Sequence, residues 1–158
     1  MLLSLAQAVD TSSLVHTMRD IAWIGAMINV MHLLALSVFA GAVVIVDLRL
    51  MGAGLTREPL AEVAEQARPW LVIGFWGLVA TGLVQLALQP VKEYYSDMFN
   101  FKMKVMFVAI IFTFLIRPRL TRVDEARLGP IWGKLAGLAS IALWSGVAIP
   151  ARLIGLVG

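Results

Sequence analysis

Four stretches of this sequence each reach the roughly 20 mostly apolar residues that a helix needs to cross the hydrocarbon of a bilayer. They run from about Ile21 to Val46, Trp70 to Leu88, Phe99 to Ile116 and Ile131 to Leu156. A bilayer offers no water to satisfy an exposed backbone, so each crossing is expected to be helical. Short connections make consecutive helices antiparallel neighbours. The fold expected is therefore all-α: an antiparallel four-helix transmembrane bundle over residues 21–156, preceded by a short N-terminal interfacial helix within residues 1–20.

Composition agrees with a bilayer and excludes several alternatives. The 158 residues are 60% hydrophobic and 15% charged, against roughly 25% charged in an ordinary soluble domain. A soluble chain of this size lacks the interior to hide so much apolar surface. Cysteine is absent, which rules out disulfides, thiolate metal sites and Cys-x-x-Cys-His haem attachment. The net charge of +3 does not indicate nucleic acid as a partner, because the basic residues flank apolar segments instead of lining one helix face.

Those flanking charges set an expected orientation. Arg49, Arg57, Arg68, Arg117, Arg119, Arg122, Arg127 and Lys134 lie beside one set of helix ends, against Arg19, Lys92, Lys102, Lys104 and Arg152 beside the other. The positive-inside rule then puts both termini outside the cytoplasm, in the periplasm of a bacterial inner membrane. Tyr94 and Tyr95 are expected as outer interface anchors and Trp70 as an inner one. Before the first crossing, Asp10, Thr11, Ser12 and Ser13 offer N-caps, and Leu14, Val15 and Met18 suit a helix lying in the interface. The opening MLLSLAQA has no basic residue ahead of its apolar core, so a cleaved signal peptide is not expected. Gly74, Gly77 and Gly82, and the four-residue repeat Gly129, Gly133, Gly137, offer surfaces for close helix contact in lipid. Pro118 reads as a terminator of the third helix.

Polar residues inside the crossings carry the functional question. His32 lies about 16 Å into the first helix, near mid-bilayer, at 1.5 Å per residue. Asn29, three positions earlier, shares its face. A polar group at that depth is expected to point into the bundle and find a partner. Three readings of His32 compete. It is a structural residue bonded to Asn29, Ser140 or a backbone carbonyl; or a ligand of haem b; or part of a copper or proton site with Met27 and Met31. His16 is about 24 Å away along a continuous helix, too far to grip the same iron. Lys104 either snorkels to the surface or, with Lys102 and Arg152, meets an anionic group such as a haem propionate or a quinone. Trp76 and Trp144 either line a cofactor cavity or pack between helices. Asp47 is poorly placed in the field at its helix end, so it needs a cation, Arg49 or Arg117, in a clamp between helix ends. The sequence has no phosphate loop, no His-Glu-x-x-His and no nucleophile with a matching base; whether the protein is an enzyme stays open.

MHLLALSVFAGAVVIVDLRLMG resembles the first-helix signature of a family of small bacterial membrane proteins of unknown function, in which a transmembrane histidine precedes Asp-Leu-Arg-Leu. RPWLVIGFWGLVATGLVQLA is similar to its second helix, with Thr81-Gly82, and FNFKMKVMFV to the start of its third, with Lys104 at the usual lysine. SIALWSGVAIPARLIG resembles its last helix, with Ser140, Trp144 and Arg152. Asn29 stands where members often carry glutamate, which removes a carboxylate from any proton-transfer role. The layout is more distantly similar to copper-resistance membrane proteins and to the haem-associated bacterial protoporphyrinogen oxidase.

The reading carried forward is a small integral membrane protein that binds haem b through His32. Asn29, Trp76, Lys104, Trp144 and Arg152 lie around the cofactor, and the role is electron transfer or the anchoring of a respiratory assembly. The competing readings are a cofactor-free structural subunit of a membrane complex or homo-oligomer, and a copper-handling protein or membrane oxidase.

Overall fold

In a computed structural model of the protein, which describes residues 2–122 and 125–157, the long apolar runs are all helical. The elements are α1 (Leu2–Asp10), α2 (Ser13–Asp20), α3 (Ala22–Met51), α4 (Leu60–Leu88), α5 (Pro90–Tyr94), α6 (Asp97–Ile111), a π-helical turn (Phe112–Ile116), α7 (Arg117–Arg122) and α8 (Glu125–Val157). Four spans are long and apolar enough to cross a membrane: Trp23–Met51, Leu60–Leu88, Asp97–Arg122 and Ile131–Leu153. The protein is a multi-pass membrane protein built as a four-helix bundle. Helix α3 packs on both α4 and α8, and α6 packs on α8. The half carrying α5 and the N-terminal helices is termed upper here, and the arginine-rich half lower.

The helices outrun the apolar segments. Helix α3 continues past Val46, through Asp47, and stops only at Gly52, whose φ of +70° lets its N–H turn back to the Arg49 and Leu48 carbonyls. That left-handed cap suits glycine, which has no Cβ to clash. Helix α4 does not start at Trp70. It starts at Leu60, because Leu60, Val63, Ala67 and Leu71 bury one face of its first turns. Pro69 lies inside the helix. Pro118 is likewise not a terminator, since α7 runs to Arg122. A proline removes the N–H that the carbonyl four residues back would accept. Here the backbone just ahead is already widened, with the Arg117 N–H reaching back to the Phe112 carbonyl. The expected glycine repeat is shorter than its spacing implied: Gly129 (φ +69°) breaks the helical path, while Gly133 and Gly137 are buried on α8.

The segment before the first crossing is two short helices, not one. Ser12 caps α2 by accepting from the Val15 N–H at 3.4 Å. Arg19 Nε donates to the Leu88 carbonyl at 2.7 Å, and its guanidinium pairs with Asp10 at 2.5 Å. A cation on the last carbonyls of α4 satisfies a helix end that its own backbone leaves open.

Packing is uneven along the bundle axis. A Cβ at Gly74 would sit 2.7 Å from the Phe39 nitrogen, and one at Gly137 would sit 3.0 Å from the Asp47 carbonyl oxygen. These glycines let α4 and α8 press against α3. The fully buried residues Ala42, Val43, Val46, Leu50, Ala136 and Ser140 all lie in the lower half. Above Phe39, Gly74, Ala109 and Ser140, the only described residue of the four long helices that is fully buried is Pro150. An aromatic layer separates the halves, with one ring from each crossing. Phe39 meets Trp144 edge-on at 4.6 Å and Phe75 at 6.4 Å, and Phe75 meets Phe114 at 4.9 Å. Offset and edge-to-face contacts of this kind are the favoured aromatic geometry.

Candidate functional site

His32 lies above the aromatic layer, half-buried. Its partner is none of those expected. Nδ1 stands 2.7 Å from Oγ1 of Thr81 on α4. Asn29 is exposed, and Ser140 is in the lower half. Thr81 has a prior commitment, because its hydroxyl donates to the Gly77 carbonyl at 2.6 Å. A hydroxyl carries one hydrogen, so towards His32 it acts as acceptor. With the Thr81 hydrogen on the Gly77 carbonyl, His32 donates through Nδ1, and in the neutral ring Nε2 is then the nitrogen with a free lone pair. This is the arrangement by which a second group orients a metal-binding histidine. Gly82 helps to seat the ring: a Cβ there would lie 3.6 Å from His32 Cε1.

Of the two neighbouring lysines, the structure brings Lys102 towards the site and leaves Lys104 exposed. The charge of Lys102 acts on His32, and that of Glu93, on α5, acts on Lys102. Lys102 Nζ also lies 5.9 Å from the centre of the Phe99 ring. Glu93 Oε2 is buried without a hydrogen-bond partner among the described residues. Arg152 is exposed. The two tryptophans do not face a shared cavity. Trp76 is 62% exposed, on the lipid side, whereas Trp144 donates to Thr113 at 3.0 Å and packs on Phe39. Met27 and Met31 are also outward, at 54% and 56% exposed. Met31 lines, with Ala35, Gly77 and Thr81, a shallow apolar groove of about 260 Å³ between α3 and α4.

A second polar cluster lies in the lower half. Arg117 is the partner of Asp47, at 2.9 Å, with both side chains almost wholly buried. Arg117 also donates to the Val43 carbonyl at 2.5 Å, and Ser140 lies against the Asp47 carboxylate. The Asp47–Arg117 contact is an ion pair and not a well-aligned hydrogen bond, since neither carboxylate oxygen gains one. Arg49, the other expected partner, instead donates to the Glu58 carbonyl at 2.7 Å. The cluster ties α3 to the third crossing and to α8.

Three or more His, Cys, Asp or Glu side chains do not converge anywhere among the described residues. The donor set around His32 is thus one imidazole nitrogen with a nearby cation. Residues 8–157 match a family of unknown function, DUF6644. The chain belongs to this family. Nothing matches it among curated proteins or among solved structures.

Proposed function

We propose that this DUF6644 protein binds haem b through His32 Nε2 and serves one-electron transfer within the membrane. The observation that carries the reading is the His32–Thr81–Gly77 relay, which orients the ring with Nδ1 as donor, so that its neutral form offers Nε2 to a metal. A neutral imidazole held in this way is a good axial ligand. His32 would be the histidine that holds the iron, since His16, the other histidine, is exposed on α2. Lys102 would take a propionate in place of the Lys104 expected from the sequence. Bound haem supplies the redox couple. The chain's residues supply the ligand, the counter-charge and a low-dielectric wall formed by Phe39, Phe75, Phe114 and Trp144.

The test is an oxidised and dithionite-reduced absorption spectrum of protein purified gently from its native membrane, with metal analysis of the same sample. The reading expects a reduced b-type band near one iron per chain, lost in His32→Ala while the protein still inserts. A featureless spectrum without iron overturns it and leaves the cofactor-free structural subunit, in which His32 and Thr81 only tie α3 to α4. Stoichiometric copper instead of iron would favour the copper reading.

A further inference from the structure

The upper half of the bundle is loosely packed, and even His32 and Thr81, which meet between α3 and α4, are only half-buried. Helix α6 packs on α8 but scarcely touches α3 or α4. Below, the gap between α4 and α6 is closed by the Phe75–Phe114 contact and by α7 against α4. Above, it is bridged by α5, which joins α4 to α6 and supports α1. That stretch, between an aromatic floor and a helical lintel and without close backbone contact between α4 and α6, forms a loosely packed window at the level of one membrane leaflet. Its polar groups are His32 and Thr81 from one side, Lys102 from the other and Glu93 from above. No other described ionisable group pairs with Lys102, and Glu93 acts on it without an ion-pair contact.

We infer that this window is a lateral binding site for a membrane-dissolved amphiphile with a carboxylate head, seated on Lys102 with its apolar body on the aromatic floor. The inference rests on the haem reading for the identity of the natural ligand, whose propionates are such heads. It differs in stating how the ligand arrives and which residue selects it. Access from the bilayer follows from the position of the window, because a route from water would cross α5. Charge selects the ligand: the Lys102 ammonium lies in a low-dielectric site where an unmatched cation is costly, and an incoming carboxylate displaces the loose influence of Glu93. The two residues therefore act in opposite directions on an acidic ligand.

Protoporphyrin IX is a probe that separates this inference from axial ligation, because it has both carboxylates and no iron. It is titrated into the full chain in lipid nanodiscs and followed by its own emission, with its dimethyl ester as control. The expected result is saturable binding of the diacid, weakened at least tenfold by Lys102→Gln and strengthened several-fold by Glu93→Gln. The ester should show neither dependence. The chain has no cysteine, so Leu86→Cys, three helical turns above Phe75 on the same face, reports on the window directly. Protoporphyrin IX should protect it from N-ethylmaleimide. Equal binding of diacid and ester, with no effect of either charge variant and no protection at residue 86, overturns the inference. That result can coexist with a His32-dependent haem band, just as retained diacid binding can coexist with the loss of that band.

Discussion

Arg117 approaches Asp47 to 2.9 Å where neither side chain is more than 4% exposed, so each charge depends on the other for its place in the bundle. Breaking a buried pair by removing one partner strands the other charge and costs about 3–5 kcal/mol. Asp47→Leu and Arg117→Met are each expected to lower the midpoint of thermal unfolding in detergent strongly. The double variant should recover most of the loss, since no lone charge is left behind. Additive losses in the double-mutant cycle would show that the two residues act independently.

Thr81 is expected to matter through its oxygen. Thr81→Val keeps the shape and removes the acceptor for His32 Nδ1–H. If His32 holds haem, loss of such an orienting bond weakens the site by roughly 10–100-fold, whereas Thr81→Ser stays near wild type. Haem titration of the apo-protein checks this. Equal affinities for the valine and serine variants would remove Thr81 from the site.

Glycines in this chain should divide into two classes. Gly74→Ala drives a Cβ to 2.7 Å from the Phe39 nitrogen, an overpacking that costs about 1–3 kcal/mol. Gly41→Ala meets nothing within 4 Å and should gain up to about 1 kcal/mol from helix propensity. Unfolding of the two variants side by side in one detergent measures the contrast. A neutral Gly74→Ala would mean that α3 and α4 separate easily.

Orientation is testable on the same cysteine-free background. Lys92→Cys and Arg57→Cys both fall at exposed positions, at opposite ends of α4. The basic-residue bias predicts that a membrane-impermeant maleimide added to spheroplasts labels position 92 and spares position 57. The reverse pattern inverts the protein in the membrane.

The bundle itself was legible because long apolar runs leave a chain few choices. Proline misled at residue 118, because a helix end was read from it as in soluble proteins, while neighbouring helices in a bilayer tolerate such breaks. The partner of His32 was not legible, since which residue of α4 meets α3 depends on the rotation and crossing of both helices. Thr81 lay within a matched motif, yet its spacing from His32 carries no period. The choice between Lys102 and Lys104 was hidden for a related reason. Two positions on a helix are about 200° apart, so one lysine faces inward and the other outward, and only the packing of α6 on α8 decides which. Asp47 was better marked: a lone carboxylate at the wrong end of a helix calls for a cation, and Arg117 was one of two on offer.

The π-helical turn at Phe112–Ile116 amounts to one extra residue inserted into an α-helix. Such an insertion rotates everything after it by about 100°. Arg117 follows it at once, so the turn sets the compass bearing of the guanidinium while the side chain supplies only the charge. For this chain, a one-residue deletion in that turn is a more serious change than many substitutions. Every downstream side chain would keep its identity and lose its direction.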